Sequence, residues 1–381
     1  RDAQESRGLG DVYKRQAEWL PNKGRSNNST PSKWAAKACL ADVYMTMAGW
    51  PLNKGTEYYG LAATEAKDII DNANTAGLKL TTEYSDLWLE ANKTQTNEVM
   101  FALQHSSKHK IASNYGKSYY PSDYAPNAGW SDYYGDEDFF LSYPEDARKD
   151  WNYMTEWPVK SGKKDTDGKD ILKTIPYTES ADKLPAISKY YNYDEGDPGK
   201  SAQANGITCI YRYAEVLLEY VEALNRVTGT VTVTTPDMTG TDVEVTVSRD
   251  IQEMAKYFNM IRYRVGLPGP ALGDFNEVER FEQIIRNERQ VELFNEGYRY
   301  FDTRRWGTYL TEDANTSNWQ GLDVQKDRTD VAGNPGFWNI VTIDQQNIRD
   351  RVALPKMVFM PISHSELLKV PSMDQNPGWD R

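Results

Sequence analysis

A mainly α protein is what this sequence predicts, with tetratricopeptide-like helical repeats interrupted by loop-rich and small β-hairpin excursions. Segments with apolar residues three and four positions apart recur along the chain, bounded by Gly, Pro or Asn. Small residues stand three apart on the first of these, which lets a neighbouring helix approach closely. Short runs of alternating Val and Thr or another polar residue break the helical pattern and read as hairpins.

Pro31 to Ala48 is the first expected helix. Ser29 or Thr30 is placed to cap it, Pro31 suits its first position, and Ala35, Ala38 and Ala41 share one face. Glu57 to Asn74 is the second, with Leu61, Ala62, Ala66, Ile69 and Ile70 turned inward and Gly77 just past its end. Residues 105–160 lose the helical period and predict loop, with one short helix from Asp136 to Ser142. Trp151–Trp157 and Ile171–Tyr177 read as strands joined by a turn containing Asp167-Gly168. Helices resume at Ile210–Arg226 and Arg249–Arg264. Between them Val231 and Val233, then Val243, Val245 and Val247, alternate with polar residues as a protruding hairpin. The strongest helix is Glu277–Asn295, with Asn276 and Glu279 as its capping box. Residues 1–16, RDAQESRGLGDVYKRQ, are set aside. The run Asp11–Gln16 resembles the translation of a transposase end used in shotgun sequencing. The leader is therefore expected to be an artefact, with the domain running over 17–381.

Composition narrows the function. A net charge of −12 argues against nucleic acid, whose phosphates demand basic surface, and suits a neutral ligand better than a polyanion. No apolar run approaches the ~18–20 residues of a membrane helix. Cys39 and Cys209 lie far apart on apparently helical segments and read as buried free thiols. The chain holds 25 Tyr and 11 Trp against only 10 Phe. Tyr and Trp join a flat apolar face to a polar handle, which suits wet binding surfaces.

Those aromatics concentrate in KSYYPSDYAPNAGWSDYYGDEDFF. Sugar rings present apolar C–H faces edged with hydroxyls; aromatic faces pack on the former, and Asn, Asp and Tyr answer the latter. Tyr119, Tyr120, Tyr124, Trp130, Tyr133 and Tyr134 supply faces among Asn114, Asn127, Asp123 and Asp132. The same residues would equally glue a loop to its scaffold, so both readings stand for the group. Tyr119, Tyr120, Trp130, Tyr133 and Tyr134 are the ligand-binding candidates, with Trp130, Tyr133 and Tyr134 foremost.

A second constellation lies on Glu277–Asn295. Helical spacing puts Glu288 and Glu292 beside the apolar face of Val278, Phe281, Ile284, Ile285, Val291 and Phe294. A carboxylate buried without a partner costs several kcal/mol, so cations are required there. Arg299, Arg304 and Arg305, beyond the turn at Gly297, are the expected partners. A structural ion-pair clamp is favoured over a paired-carboxylate glycosidase, because arginines depress carboxylate pKa values, whereas a general acid needs a raised one. His105 and His109 stand four apart but lack a third ligand, and Asp165–Asp170 lacks the ordered spacing and closing Glu of a calcium loop. No metal, cofactor or catalytic residue is expected.

The run NERQVELFNEGYRYFDTRRWG closely resembles the C-terminal signature of SusD/RagB-type lipoproteins. Pieces similar to that family follow one another in its order: GRSNNSTPSKWAAKACLADVYMTMAGW, EAKDIIDNANTAGLKLTTEYSDLW, NEVMFALQ, YPEDARKD, the step Lys189-Tyr190, CIYRYAEVLLEYVEALNRVTG, IRYRVGLP, FMPIS and QNPGW. They span Ala17 to Arg381. The resemblance implies a tetratricopeptide-like scaffold whose loops carry the ligand. It implies a protein lipid-anchored to the outer membrane of Bacteroidetes, facing outward over a SusC-like TonB-dependent transporter. The cargo it implies is oligosaccharide or polysaccharide, or oligopeptide in the RagB-like alternative. Outside the family reading, a glycoside hydrolase is the remote alternative. Neither Cys matches the family's lipid-bearing one, and the family's lipoprotein signal and earlier repeats do not match any part of the chain.

Overall fold

The computed structural model describes residues 28–94, 96–111, 113, 115–125, 128–191, 205–237, 241–308, 362–369 and 375–376. Residues 1–27, and with them the expected leader, lie outside the described residues, as do Asn114, Asn127 and the proline-rich stretch before Ile362. The elements in chain order are α1 (Lys33–Ala48), α2 (Thr56–Asp71), β1 (Val99–Gln104), α3 (Tyr115–Tyr119), α4 (Glu137–Ser142), α5 (Ala147–Asn152), β2 (Tyr153–Met154), β3 (Glu156–Lys164), β4 (Asp170–Pro176), β5 (Ala186–Ile187), β6 (Ile207–Arg212), α6 (Tyr213–Arg226), β7 (Thr230–Pro236), β8 (Asp242–Ser248), α7 (Ile251–Arg264), α8 (Val278–Glu292), α9 (Tyr298–Arg305) and α10 (His364–Lys369). Short 3₁₀ turns connect several of them. The chain divides into a larger unit, Arg1–Gly135 with Tyr143–Arg299, and a smaller one, Asp136–Ser142 with Tyr300–Arg381.

The architecture is mainly α, as the periodicity predicts. In the larger unit α6 is the axis: every residue from Tyr213 to Asn225 is buried. α2, α7 and α8 pack around it, and α1 packs on α2. Ala38, Ala41, Ala62, Ala63 and Ala66 are buried between α1, α2 and their neighbours, so short side chains set the close approach. At about 25 cal/mol per Å² of apolar surface, this continuous cluster is the main favourable term in the fold. Among the described residues, each of the four sheets is a two-stranded antiparallel pair. β7 and β8 form the expected hairpin, with Val233 opposite Val245, and Val231 rests where Gly60 of α2 leaves no side chain in the way.

Several local expectations are corrected. The helix expected from Ile210 begins at Tyr213, because Ile207–Arg212 pairs with Val99–Gln104 as a strand. β-Branched and aromatic residues favour that pairing, but the partner lies about a hundred residues away and no local pattern announces it. Trp151 lies in the last turn of α5 rather than opening a strand, and α3 and α5 add two short helices to a region read as loop. The Asp167-Gly168 turn does close the β3–β4 hairpin, with Gly168 at φ 77°. Ser32, not Ser29 or Thr30, caps α1, its Oγ accepting from Ala35 N at 3.2 Å. No Asn276–Glu279 box forms; Glu277 is the cap residue of α8 and its side chain makes no capping bond. Cys209 is buried and Cys39 exposed, both free thiols.

Candidate functional site

The aromatic loop is built from backbone outward. The segment after Ala128 lies along α3. Trp130 N donates to Lys117 O at 2.8 Å, Ser131 N to Tyr120 O at 3.1 Å, and Asp132 N and Tyr133 N to Ser118 O at 3.0 and 3.2 Å. Gly129 permits this, since a Cβ there would lie 1.9 Å from the Tyr120 carbonyl oxygen. Ser131 takes a left-handed φ of 53°, uncommon for a residue with a side chain. The result is outward presentation of two large rings, with Trp130 49% and Tyr133 56% exposed.

The other candidates hold that surface up. Tyr119 is half-buried; its ring lies 5.1 Å from that of Tyr133 at 32° and 5.7 Å from that of Tyr190, and its hydroxyl donates to Asn295 Oδ1. Tyr120, expected as a ligand face, is only 3% exposed. It packs on Tyr124 and Tyr191 and donates to Tyr191 O at 3.3 Å, so it belongs to the glue and not to the surface. Tyr134 is half-buried, and its hydroxyl donates to Asp182 Oδ1 at 3.2 Å. Burial, with the charges of Asp182 and Asp132, pushes that phenol up. Asp123 accepts from Trp157 Nε1 at 2.7 Å, tying the loop to β3. Against Tyr133 and Tyr134, the packing of Tyr120, Pro121, Trp157, Leu184 and Ala186 leaves no space for a water. The two readings of the loop therefore divide by residue: Tyr120 and Tyr124 fasten it, while Trp130 and Tyr133 face solvent.

Glu288 and Glu292 are 3% and 0% exposed and each meets arginine, but not the arginines expected. Arg148 reaches Glu288 at 2.6 Å and Glu292 at 3.0 Å, and Arg262 reaches Glu288 at 2.7 Å. Arg212 holds Glu292 at 2.7 Å and Glu98 at 2.9 Å, and Arg264 bonds to both of these carboxylates. Arg212 and Lys189 clasp Glu296, each at 2.8 Å, and Lys189 Nζ sits 4.1 Å from the Trp88 ring centre. Asp146 completes the set on Arg148. The carboxylates of Asp146, Glu98, Glu288, Glu292 and Glu296 thus face Arg148, Arg212, Arg262, Arg264 and Lys189, five charges of each sign. Arg305 pairs instead with Asp302 at 2.7 Å, and Arg304 lies over the Tyr300 ring. The cations that meet Glu288 and Glu292 arrive from α5, the end of β6 and the last turn of α7.

The electrostatics argue against acid–base work here. Burial by itself would raise the Glu292 carboxyl, but Arg264, Arg212 and Arg148 overcome it and hold the group well below the usual carboxylate range. A permanently ionised carboxylate with its lone pairs occupied is a poor proton donor. The signal for the true partners was in the sequence all along. Glu98 lies in NEVMFALQ, Arg148 in YPEDARKD, Lys189 in its step with Tyr190, Arg212 in CIYRYAEVLLEYVEALNRVTG, and Arg262 and Arg264 in IRYRVGLP. The scattered runs that carry the family resemblance converge on one buried network.

Other candidates stay apart from both places. His105 and His109 lie on a strand end and turn, not a helix; His105 Nε2 bonds Thr208 Oγ1 at 2.8 Å and His109 Nδ1 bonds Ser106 Oγ. Asp165 folds its own turn, accepting from Asp167 N and Lys169 N at 2.9 Å. A cavity of about 650 Å³ lies among α2, α6 and the β7–β8 hairpin, floored by Lys37 and Glu65; its aromatic lining is Tyr220, whose ring is buried.

Comparison with known proteins places this arrangement. A family model described as the SusD family matches residues 88–379. SusD-like protein P2 of Formosa agariphila is 28% identical over 303 residues, 76% of this chain and 53% of that protein. The chain thus spans about half the length of that relative. Among solved structures, a SusD homolog from Bacteroides thetaiotaomicron is similar with a TM-score of 0.67 at 19% identity, covering 93% of this chain and 65% of that one. Surface glycan-binding protein A from Bacteroides uniformis has a TM-score of 0.59 at 18% identity, covering 95% and 65%. At such identities the structural likeness speaks for the fold. The family model, matching well over half of the sequence, carries the assignment: this chain belongs to the SusD family.

Proposed function

We propose that this chain is a cell-surface glycan-binding protein that captures oligosaccharide or polysaccharide without cleaving it and delivers it to a SusC-like TonB-dependent transporter. The observation that carries the reading is the solvent-facing pair Trp130 and Tyr133, held by a hydrogen-bonded loop on a SusD-family scaffold. Flat, exposed rings that contribute little to a core suit the C–H faces of sugars. A similar fold in a protein named for surface glycan binding supports the same class of ligand. Outer-membrane localisation, outward-facing and lipid-anchored, belongs to the proposal for the full-length protein.

The chemistry supports capture rather than catalysis. The buried carboxylates Glu288 and Glu292 are locked to arginine, and the packing about Tyr133 leaves no water-sized space. Binding should be weak, because a shallow platform buries limited area and leaves the sugar partly hydrated. The test is calorimetry against a panel of soluble glycans, with product analysis of the same mixtures. Heat of binding with no new reducing ends is expected, and Trp130→Ala with Tyr133→Ala should abolish it. Accumulating reducing ends would point to a glycoside hydrolase. Oligopeptides bound in place of glycans would move the cargo to the RagB-like alternative.

A further inference from the structure

Asp182 approaches the aromatic loop from a segment far along the chain and meets it at two points. Its Oδ2 accepts from Ser131 Oγ at 2.7 Å, and its Oδ1 accepts from Tyr134 Oη at 3.2 Å. Ser131 directly follows Trp130, and Tyr134 directly follows Tyr133, so one carboxylate fastens a neighbour of each exposed ring. Ser131 is also the residue with the left-handed φ of 53°. Its Oγ is used twice, since Ser122 N donates to it at 2.7 Å while it donates to Asp182. The loop leaves this anchor at Gly135, whose N–H donates to Pro185 O at 2.9 Å, three residues after Asp182. Leu184 and Ala186 of the same segment line the same packed space as Tyr133 and Tyr134.

We infer that Asp182 is the positioning residue of the platform: it holds Trp130 and Tyr133 in their outward arrangement before any ligand arrives. This rests on the glycan-platform reading above. A loop with an uncommon backbone angle keeps it only where the surroundings over-determine it. Two bonds to one partly buried carboxylate supply that determination. Fixing the rings in advance lowers the ordering cost of binding, so the anchor acts on affinity without touching the sugar. Tyr134 thereby becomes part of the anchor, its hydroxyl committed to Asp182 rather than offered to a ligand.

The experiment has two arms on the whole chain. In the first, protein labelled with 5-fluorotryptophan is studied by ¹⁹F NMR without ligand, the Trp130 resonance being identified with Trp130→Phe. One sharp Trp130 line is expected in the parent, and a broadened or split line in Asp182→Ala with the other tryptophan lines unmoved. Asp182→Asn, which keeps a carbonyl acceptor, should restore much of the sharp line. In the second arm, retention on xyloglucan, laminarin and pullulan is measured by affinity electrophoresis. Asp182→Ala should weaken retention on the order of tenfold, and Asp182→Asn less. If Trp130→Ala weakens retention but Asp182→Ala neither weakens it nor alters the Trp130 line, the anchor is refuted and the platform stands. If retention ignores Trp130→Ala as well, the platform reading itself fails. Should Asp182→Ala not fold, Tyr134→Phe removes one anchor bond without that risk; an unchanged Trp130 line and unchanged retention in that variant would overturn the inference.

Discussion

Glu292 and Trp130 occupy opposite extremes of this chain: the first is a charge with no solvent exposure, the second a large ring with half its surface in water. Each is where elementary hydrophobicity would not put it. The charge is affordable inside because three guanidiniums reach it from three elements. The ring is retained outside because its loop is fastened by backbone bonds and by Asp123 and Asp182, so exposing it costs the fold little. Misplaced polarity marks structure in one region and, on the proposed reading, recognition in the other. What separates them is whether the neighbours satisfy the residue or leave it free to meet something else.

Substitutions can break or sharpen this contrast. The largest effect is expected for Glu292→Ala, which leaves Arg148, Arg212 and Arg264 facing one another; removing one partner of a buried pair typically costs ~3–5 kcal/mol. Chemical denaturation should show that loss, or no folded protein. Glu288→Ala should lower stability in the same way and, in any protein that folds, leave glycan affinity alone. A stable Glu288→Ala that had lost binding would overturn the structural role.

The same network sets an acid limit. Glu292 is held below its ordinary value of 4.5, so its contribution is complete above the unfolded pKa and is lost as pH falls through the folded one. The stability gap between the parent and Glu292→Ala should therefore be full at pH 7 and narrow steadily below about pH 4.5. A gap that stayed constant down to pH 3 would show that the ion pairs contribute nothing.

Within the aromatic loop, Tyr120→Ala should cost about 3 kcal/mol, because it excavates a buried ring from the cluster with Tyr124 and Trp157. Glu282→Gln is expected to do less, and in the other direction. Glu282 is also buried on α8, but burial and the nearby Glu222 push its carboxyl up, against the pull of Arg286 and Arg226. A raised group contributes stability below its unfolded pKa and loses it as pH rises through the folded one. Removing the charge should thus raise the melting temperature at pH 7 slightly, whereas Glu292→Gln should lower it. Trp130→Ala should move the unfolding free energy by no more than ~0.5 kcal/mol, the smallest effect here, while weakening glycan binding several-fold. If it destabilised the fold as Tyr120→Ala does, Trp130 would be glue as well.

The helices were legible because each is written into consecutive residues. Periodicity marks α1, α2, α7 and α8 to within a few positions, and Val alternation marks the β7–β8 hairpin. The need of Glu288 and Glu292 for cations was legible too, since helical spacing alone puts them beside an apolar face. Which cations, and which rings face out, were not. Arg148 reaches Glu288 across 140 positions, Arg212 reaches Glu292 across 80, and Arg264 reaches Glu98 across 166. Proximity in sequence pointed to Arg299, Arg304 and Arg305, but proximity in space is set by how α6, α7 and α8 pack. Tyr120 and Trp130 read alike in an aromatic run; they part company because Tyr120 falls over Trp157 and Ala186 while a left-handed serine turns the chain beyond Trp130. Local pattern determines where a helix or hairpin forms, because its hydrogen bonds and apolar stripe are short-range. The partner of a buried charge and the exposure of a ring are decided only when distant segments meet.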